Sequence, residues 1–434
     1  MTTAWSAHAG NVFYTVRAMT RVEGSEGMSA ATGVGERIVV TSYADVRECL
    51  RQRDLQQALY DAGGSVMADS LITLHGDAHK ARRRAENRLF RRGTFRWWEV
   101  NVVPGTIEHS YAAPLAAGRA DLVRLGRRTI MYLTALVAGI DPPQTEAEAD
   151  ELERIAHVFS TGATAVHSTR DLTELNAEVA EAMQAFDEQF LTPSMERRAH
   201  LVREHAAGRM AEEGLPRDVL TAILRNQEDL GLDRNMIRRE VAFYLQAGSH
   251  STTNLFTHAS HQVFVELGDR AFASQIRDRV FLQRCVLETL RLHPASPVAW
   301  RRALTDITLR SGIVLPHGSL VELDIEAANR DRAVWGPDAD RFNPGRDLPE
   351  GVQPWGHSFG GGMHSCIGME LDGGFLSAGA QAEDHEPVFG TVTLMVHALL
   401  ENDARPDPAE PPTRDAQSTR ENFSRYPVVF GRRQ

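Results

Sequence analysis

A mainly α fold with a minor β region, in a single domain over residues 1–434, is what this sequence predicts, and three observations carry the prediction. From about Asp77 to Leu290 apolar residues recur with helical spacing. After Pro294 the pattern changes to short strands punctuated by Gly/Pro turns. No repeat or low-complexity linker divides the chain, of which 42% is hydrophobic and 24% charged, so one large core is affordable.

In chain order, "ERIVVTSY" (36–43) reads as a strand and "ADVRECLRQ" (44–52) as a helix. The longest apolar-striped helices are "ADLVRLGRRTIMYLTALVAGI" (120–140) and "MIRREVAFYLQAGSHSTTNLFTHASHQVFVEL" (236–267). The second carries Gly248 and a Ser/Thr cluster at its middle, where the hydrogen-bond ladder is expected to loosen. "ITLRSGIVLPHGSLVELDI" (307–325) reads as short strands, "TVTLMVHALLEN" (391–402) as a helix and "RYPVVF" (425–430) as a final strand.

Composition narrows the function. A net charge of −11 argues against a general nucleic-acid binder. No apolar run reaches the roughly 18 residues of a membrane helix, and the initial "MTTAWSAHAGNVFYTVRAM" lacks a signal-peptide pattern. Cys49, Cys285 and Cys366 are odd in number and far apart, which argues against a disulfide framework and for a reducing cytoplasm. Lys80 is the single lysine among 47 basic residues, an arginine bias that suggests a GC-rich bacterial genome.

The stretch "SFGGGMHSCIGMELDGG" (358–374) surrounds Cys366 with glycines, which let a loop turn tightly and approach another group. A helix is expected to start near Ile367, and a sulfur at a helix N-terminus is held as a thiolate. Four uses for that sulfur are open. A buried structural thiol leaves the glycines without a purpose. A zinc site with His357 and His364 lacks any paired CxxC or HxxxH. A nucleophile would take His364 as its base. An axial thiolate to heme iron uses the glycines to pass beneath a porphyrin.

"FGGGMHSCIGMEL" (Phe359–Leu371) resembles the heme-binding signature of the cytochrome P450 family, residue for residue. Four further segments resemble that family's motifs, in the family's order: "HKARR" (79–83), "AGSHST" (247–252), "ETLR" (288–291) and "DRF" (340–342). The resemblance spans nearly the whole chain. It implies the cytochrome P450 fold, with heme b between a long distal helix and a proximal Cys loop, and Cys366 as the iron's axial ligand. Phe359, Gly360, His364 and Gly368 would shape that loop, and Ala247 and Gly248 would lie over the cofactor. His79, Arg83, Arg301 and His364 would reach the heme propionates; His79 and Arg83 stand one helical turn apart, so both can point at one carboxylate pair. Glu288, Arg291 and Arg341 would form a structural lock behind the heme, since buried charges persist only when paired.

Two segments depart from the family pattern. Where the family has an acid followed by Thr, this chain has His250 and Ser251; Thr252 follows, and a one-residue bulge would bring it over the iron. A hydroxyl there passes protons to dioxygen, and His250 is suited to shuttling protons near neutral pH. After Leu371, "DGGFLSAGAQAEDHEPVFG" replaces the expected continuation of a helix, and Gly373–Gly374 should break it. Residues 375–386, with Glu383, Asp384 and Glu386, would then form an acidic loop on the face where electrons enter.

The function so implied is a monomeric, bacterial-type monooxygenase that inserts one atom of dioxygen into a mainly apolar small molecule, such as a secondary metabolite or its precursor. Electrons from NAD(P)H would arrive through an external ferredoxin and ferredoxin reductase. The basic run "HKARRRAENRLFRRGTFR" (79–96) offers such an acidic partner a docking face, or is simply a solvated helix surface. Substrate contacts are expected from Val66, Leu71, Leu74, Phe243, Tyr244, the "SPVA" segment with Ser296, Val298 and Ala299, and Phe423. The alternatives are phenol coupling or another oxidation without oxygen insertion, and a catalytically silent heme-binding partner protein.

Overall fold

Helices dominate the structure, a computed structural model that describes residues 37–60, 64–266, 268, 278–375 and 387–431. The N-terminal stretch in which no signal-peptide pattern is expected, and with it the first residues of the expected single domain, lie outside the described residues. Strand β1 (Arg37–Val40) leads into helix α1 (Tyr43–Arg51), whose start is capped by Ser42 accepting the Asp45 N–H at 3.1 Å. Together with β2 (Leu55–Gln57), β3 (Val298–Ala303) and β4 (Leu320–Asp324), β1 forms a sheet in the order β1-β4-β3-β2. The β1–β4 pair is parallel and the other two are antiparallel. Successive side chains on β3 face opposite ways, so Arg301 turns inward at 5% exposure while Arg302 takes the other face.

The helical part is organised around one long helix. Helix α2 (Gly76–Glu86) precedes α3 (Leu122–Ala138), α4 (Glu146–Ala163) and α5 (Leu172–Phe186), and α6 spans Arg234–Glu266 without a break. The loosening expected at Gly248 is not seen. A Cβ on Gly248 would lie 2.7 Å from Thr134 Cγ2, and one on Gly126 would lie 3.0 Å from Phe256 Cδ1. Both glycines thus let α3 and α6 cross closely, which is a packing reason and not a cofactor reason for Gly248.

Two apolar cores meet along α6. The first takes Val241 and Leu245 together with Phe159 and Phe186; the second takes Leu255 and Phe256 with Val286, Leu290 and Val396. Between them runs the polar middle, Ala247–Asn254, and this break in the apolar stripe marks the site.

Helix α7 (Arg279–Leu292) lies against α6 and against α9 (Thr391–Glu401). The short α8 (Met369–Gly373) stops at Gly374, whose φ of 71° suits a residue without Cβ. The chain then turns back, Phe375 N–H donating to Val388 O at 2.7 Å, and reaches Gly390. A Cβ there would sit 2.4 Å from Asp372 O and 2.5 Å from Gly374 N, so α9 begins where α8 ends. The acidic loop expected over Phe375–Glu386 falls on residues 376–386, outside the described residues. Among the described residues no helix is long and apolar enough to cross a membrane.

Candidate active site

Cys366 closes a tight loop by donating its N–H to Phe359 O at 2.9 Å. Gly360 and Gly362 have φ of +66° and +62°, and a Cβ on Gly362 would strike Leu50 O of α1 at 2.3 Å. Glycine is therefore dictated here by the turn and by the helix beneath it. Of the three cysteines, Cys49 and Cys285 are buried and Cys366 alone is exposed. Yet burial, followed by Asp372, pushes the Cys366 thiol up to about 11. An exposed sulfur governed by desolvation is one that opens into a recess walled by protein. Helix α8 is too short to hold a thiolate by itself, contrary to the sequence expectation. A cationic partner such as a metal would be needed to remove the proton.

The polar middle of α6 is joined to this segment by the Thr252 hydroxyl, which donates to Asp372 Oδ1 at 2.9 Å. Ala247 is exposed and Gly248 and Ser251 partly so, in a stretch where Val241–Gln246 and Thr252–Asn254 are buried. Ala247 and Ser251 stand one turn apart on one face of α6, and the Ser251 hydroxyl donates to Ala247 O at 2.8 Å. No bulge moves Thr252 into that position. His250 turns the other way, its Nε2 2.9 Å from Arg420 Nη2, and burial followed by Arg420 drives its pKa well below the ordinary value. A proton shuttle by His250 near neutral pH is thereby corrected: the ring is neutral and directed away from Ser251.

Burial raises Asp372 from an ordinary 3.8 to about 7, against the Thr252 hydrogen bond that lowers it. The folded protein thus binds this proton more tightly than the unfolded chain. The stability this confers is complete below about pH 4 and lost as pH rises through about 7. Asp372→Asn should flatten that part of the decline in thermal midpoint between pH 5 and pH 8; an unchanged slope would place the titration elsewhere.

A set of donors gathers at the edge of the recess. His79 on α2 is 4% exposed, and its ring lies 4.6 Å from that of His364. His79 Nε2 and both nitrogens of His364 are buried without hydrogen-bond partners among the described residues. Burial and neighbouring cations push His79 down to about 4 and His364 to about 3. The groups acting on His364 are His79, Arg301, His75 and Arg83, with no carboxylate among them. Arg83 donates to Ser365 O at 2.8 Å and Arg301 to Trp300 O at 2.9 Å. Unsatisfied donors with no acid fit the paired propionates of a heme, and Cys366 supplies the matching soft ligand.

Behind the loop, Arg291 is fully buried and takes both carboxylate oxygens of Glu288 at 2.8 and 2.7 Å. Its other bonds go to Asn329 O and Ala339 O, each at 2.7 Å. The expected third member, Arg341, is exposed and contributes only its carbonyl, at 3.3 Å from Arg291 Nη2. Arg346 takes that role instead, 3.4 Å from Glu288 and 2.7 Å from Asp338. Sequence reasoning also missed Asn329, which donates to Arg291 O and Ser358 Oγ and accepts the His357 N–H. Ser358 donates in turn to Leu290 O at 2.6 Å. This chain of bonds ties the ion pair to the Cys loop.

The expected substrate contacts divide. Leu74, Val298 and Ala299 are partly exposed, as is Ser296. Val66, Leu71, Phe243, Tyr244 and Phe423 are instead sealed in the core, at 0, 3, 8, 7 and 5% exposure. Tyr244 is drawn off by Glu86, to which its hydroxyl donates at 2.6 Å, beside the buried Arg82–Glu240 pair. Phe423 packs on His258, His261 and Tyr426. Tyr60, hydrogen-bonded to Ser296 and within electrostatic reach of Cys366, Arg301 and Arg420, was not anticipated.

A family model described as Cytochrome P450 matches residues 150–371. A Drosophila melanogaster protein described as probable cytochrome P450 313a1 is 39% identical over 94 residues, which is 21% of this chain. The match spans only 19% of that relative's length. Among solved structures, P450BioI in complex with a fatty-acid-ligated acyl carrier protein superposes with a TM-score of 0.68 at 17% identity, covering 91% of this chain and 92% of that one. CYP109E1 from Bacillus megaterium with testosterone gives 0.66 at 17% identity, covering 91% and 93%. At such identity these structures share the fold.

Proposed function

Because the chain belongs to the cytochrome P450 family, we propose that it is a heme-thiolate monooxygenase, one catalytic domain that inserts one atom of dioxygen into a mainly apolar small molecule. The observation that carries this reading is Cys366: the one exposed cysteine among the described residues, on a loop tied to the Glu288–Arg291 lock and joined to the middle of α6 through the Thr252–Asp372 hydrogen bond. A heme bound there would supply dioxygen activation and one-electron chemistry, which the side chains cannot.

The residues have separable tasks. Cys366 would give up its proton and hold the iron. His79, Arg83, Arg301 and His364 would neutralise the propionates and orient the ring. Ala247, small and exposed, would leave room for the cofactor, and the Ser251 hydroxyl, bonded back to Ala247 O, would pass protons towards it. Ser251→Ala should therefore raise peroxide released per NAD(P)H several-fold, whereas Thr252→Ala, which loses only the bond to Asp372, should raise it less. The reverse order would put Thr252 in the relay.

Electrons from NAD(P)H would come through a ferredoxin and its reductase. Supporting this, Lys80, Arg84 and Arg88 are exposed at four-residue spacing on and just beyond α2, while Glu86 is buried and cannot offset them. The defining experiment is a reduced carbon-monoxide difference spectrum, then NAD(P)H consumption with surrogate partners and product mass. A second reading, oxidation without oxygen insertion such as phenol coupling, is favoured by one observation: His250 faces Arg420, so Ser251 has no acid partner on α6. Products lacking a mass gain of one oxygen would select it.

A further inference from the structure

The recess carries a positive charge that the heme-binding set does not use. Arg420 lies on the turn between β5 (Thr413–Arg414) and β6 (Phe423–Arg425). Its guanidinium donates to Ala295 O at 3.0 Å and Thr164 Oγ1 at 3.1 Å, and Nη2 meets His250 Nε2 at 2.9 Å. All three are neutral acceptors, because His250 is kept unprotonated. Arg420 Nε is buried with no partner, and so is Nε2 of His167, on which the Arg420 charge acts. Among the described residues Asp415 is the acid that acts on Arg420, and it does so without an ion pair; its Oδ1 accepts the Gln417 N–H. A cation with so little compensation is costly unless something else supplies the negative charge.

Arg420 stands apart from the set assigned to the propionates. The groups acting on His79 are Arg83 and His75, those acting on His364 are His79, Arg301, His75 and Arg83, and Arg420 is in neither set. Arg420 is linked to the Cys366 side through Tyr60, which is within electrostatic reach of both and is hydrogen-bonded to Ser296. Its position is fixed. The turn pairs with the segment after α4, Ser168 bridging Ser418, with Thr169 N–H to Gln417 O at 3.2 Å and Thr419 N–H to His167 O at 3.0 Å. Arg420 N–H donates to Ser418 Oγ at 3.1 Å. A charge held this rigidly can bind an anion with little ordering cost.

We propose that Arg420 is the specificity-determining residue of this site and that the substrate is an apolar molecule bearing a carboxylate, which pairs with Arg420 while its apolar body lies along Ala247 and Val298. The proposal rests on the P450 reading. The neutral donors His167 and Tyr60 flank the charge, and the aliphatic stretch between them and Cys366 sets the point of attack away from the anionic end.

The test uses heme-loaded full-length protein and a panel of aliphatic and aryl-alkyl carboxylic acids, each paired with its primary amide. Binding is measured by equilibrium dialysis and by the Soret shift, in the parent, Arg420→Gln and Arg420→Lys. The parent should bind acids at least tenfold more tightly than their amides; Arg420→Gln should reduce the difference to within twofold, and Arg420→Lys should retain part of it. Equal binding of acids and amides, a preference that survives Arg420→Gln, or failure of every acid to bind would overturn the proposal. The carbon-monoxide spectrum of the same samples separates the two failures. A normal red-shifted band without charge preference removes only the anion site, and absence of the band in the parent removes the P450 reading beneath it.

Discussion

Cys366→Ala is expected to abolish the red-shifted carbon-monoxide Soret band entirely, while Cys49→Ala and Cys285→Ala leave it intact. Only a thiolate opposite carbon monoxide gives that band, and the three sulfurs differ in more than sequence context. Cys49 is 1% exposed on α1 and Cys285 is fully buried on α7. Burial pushes both thiols up to about 12, so neither can ionise or reach a ligand. Cys366 is protonated too until a metal arrives, but it opens into the recess. An unchanged band in Cys366→Ala would remove heme-thiolate chemistry from this chain.

The second large effect is expected from Glu288→Ala. Arg291 would keep its bonds to Asn329 O and Ala339 O and its place over the Trp335 ring, 4.9 Å away, but would lose its counterion among the described residues. Arg346 would lose its partner at the same carboxylate. Removing one half of a buried pair costs about 3–5 kcal/mol, against a typical total stability of about 5–15 kcal/mol. Because Ser358 and Asn329 carry the same network to the Cys loop, the loss should appear as a reduced heme-to-protein ratio as well as a lower denaturation midpoint. Glu288→Gln, which keeps some hydrogen bonding, should fall between the two. Full heme occupancy and an unchanged midpoint in Glu288→Ala would show that the lock contributes nothing.

What could be read from the sequence, and what could not, follows from the range of the forces involved. The Cys loop was legible because glycine at positive φ is a local requirement, met within a few residues. Glu288 and Arg291 were legible because helical spacing alone puts them together. Arg341 was not the third member, because residues 336–346 form irregular turns in which periodicity says nothing about which guanidinium turns inward. Tyr244 and Phe423 were misplaced for a related reason: an aromatic side chain on α6 or β6 suits a pocket wall and a core equally well. What decides is a partner far away in sequence, Glu86 for one and His258 with Tyr426 for the other. His250 occupies the aligned acid position, yet Arg420, 170 residues later, determines what it does.

The return of the chain from Gly374 to Gly390 has a consequence for how this protein can vary. Since the two glycines touch and Gln283 donates to both Gly373 O and Val388 O, at 2.9 Å each, the boundary of the excursion is fastened independently of its contents. Closure entropy grows only with the logarithm of loop length, so residues can be gained or lost between those anchors at little thermodynamic penalty. Neither the ligand loop nor α9 need register the change. Natural variation at this point can therefore proceed by whole-segment replacement, a heritable cassette between two helices, while the sulfur beside it stays under unrelieved constraint.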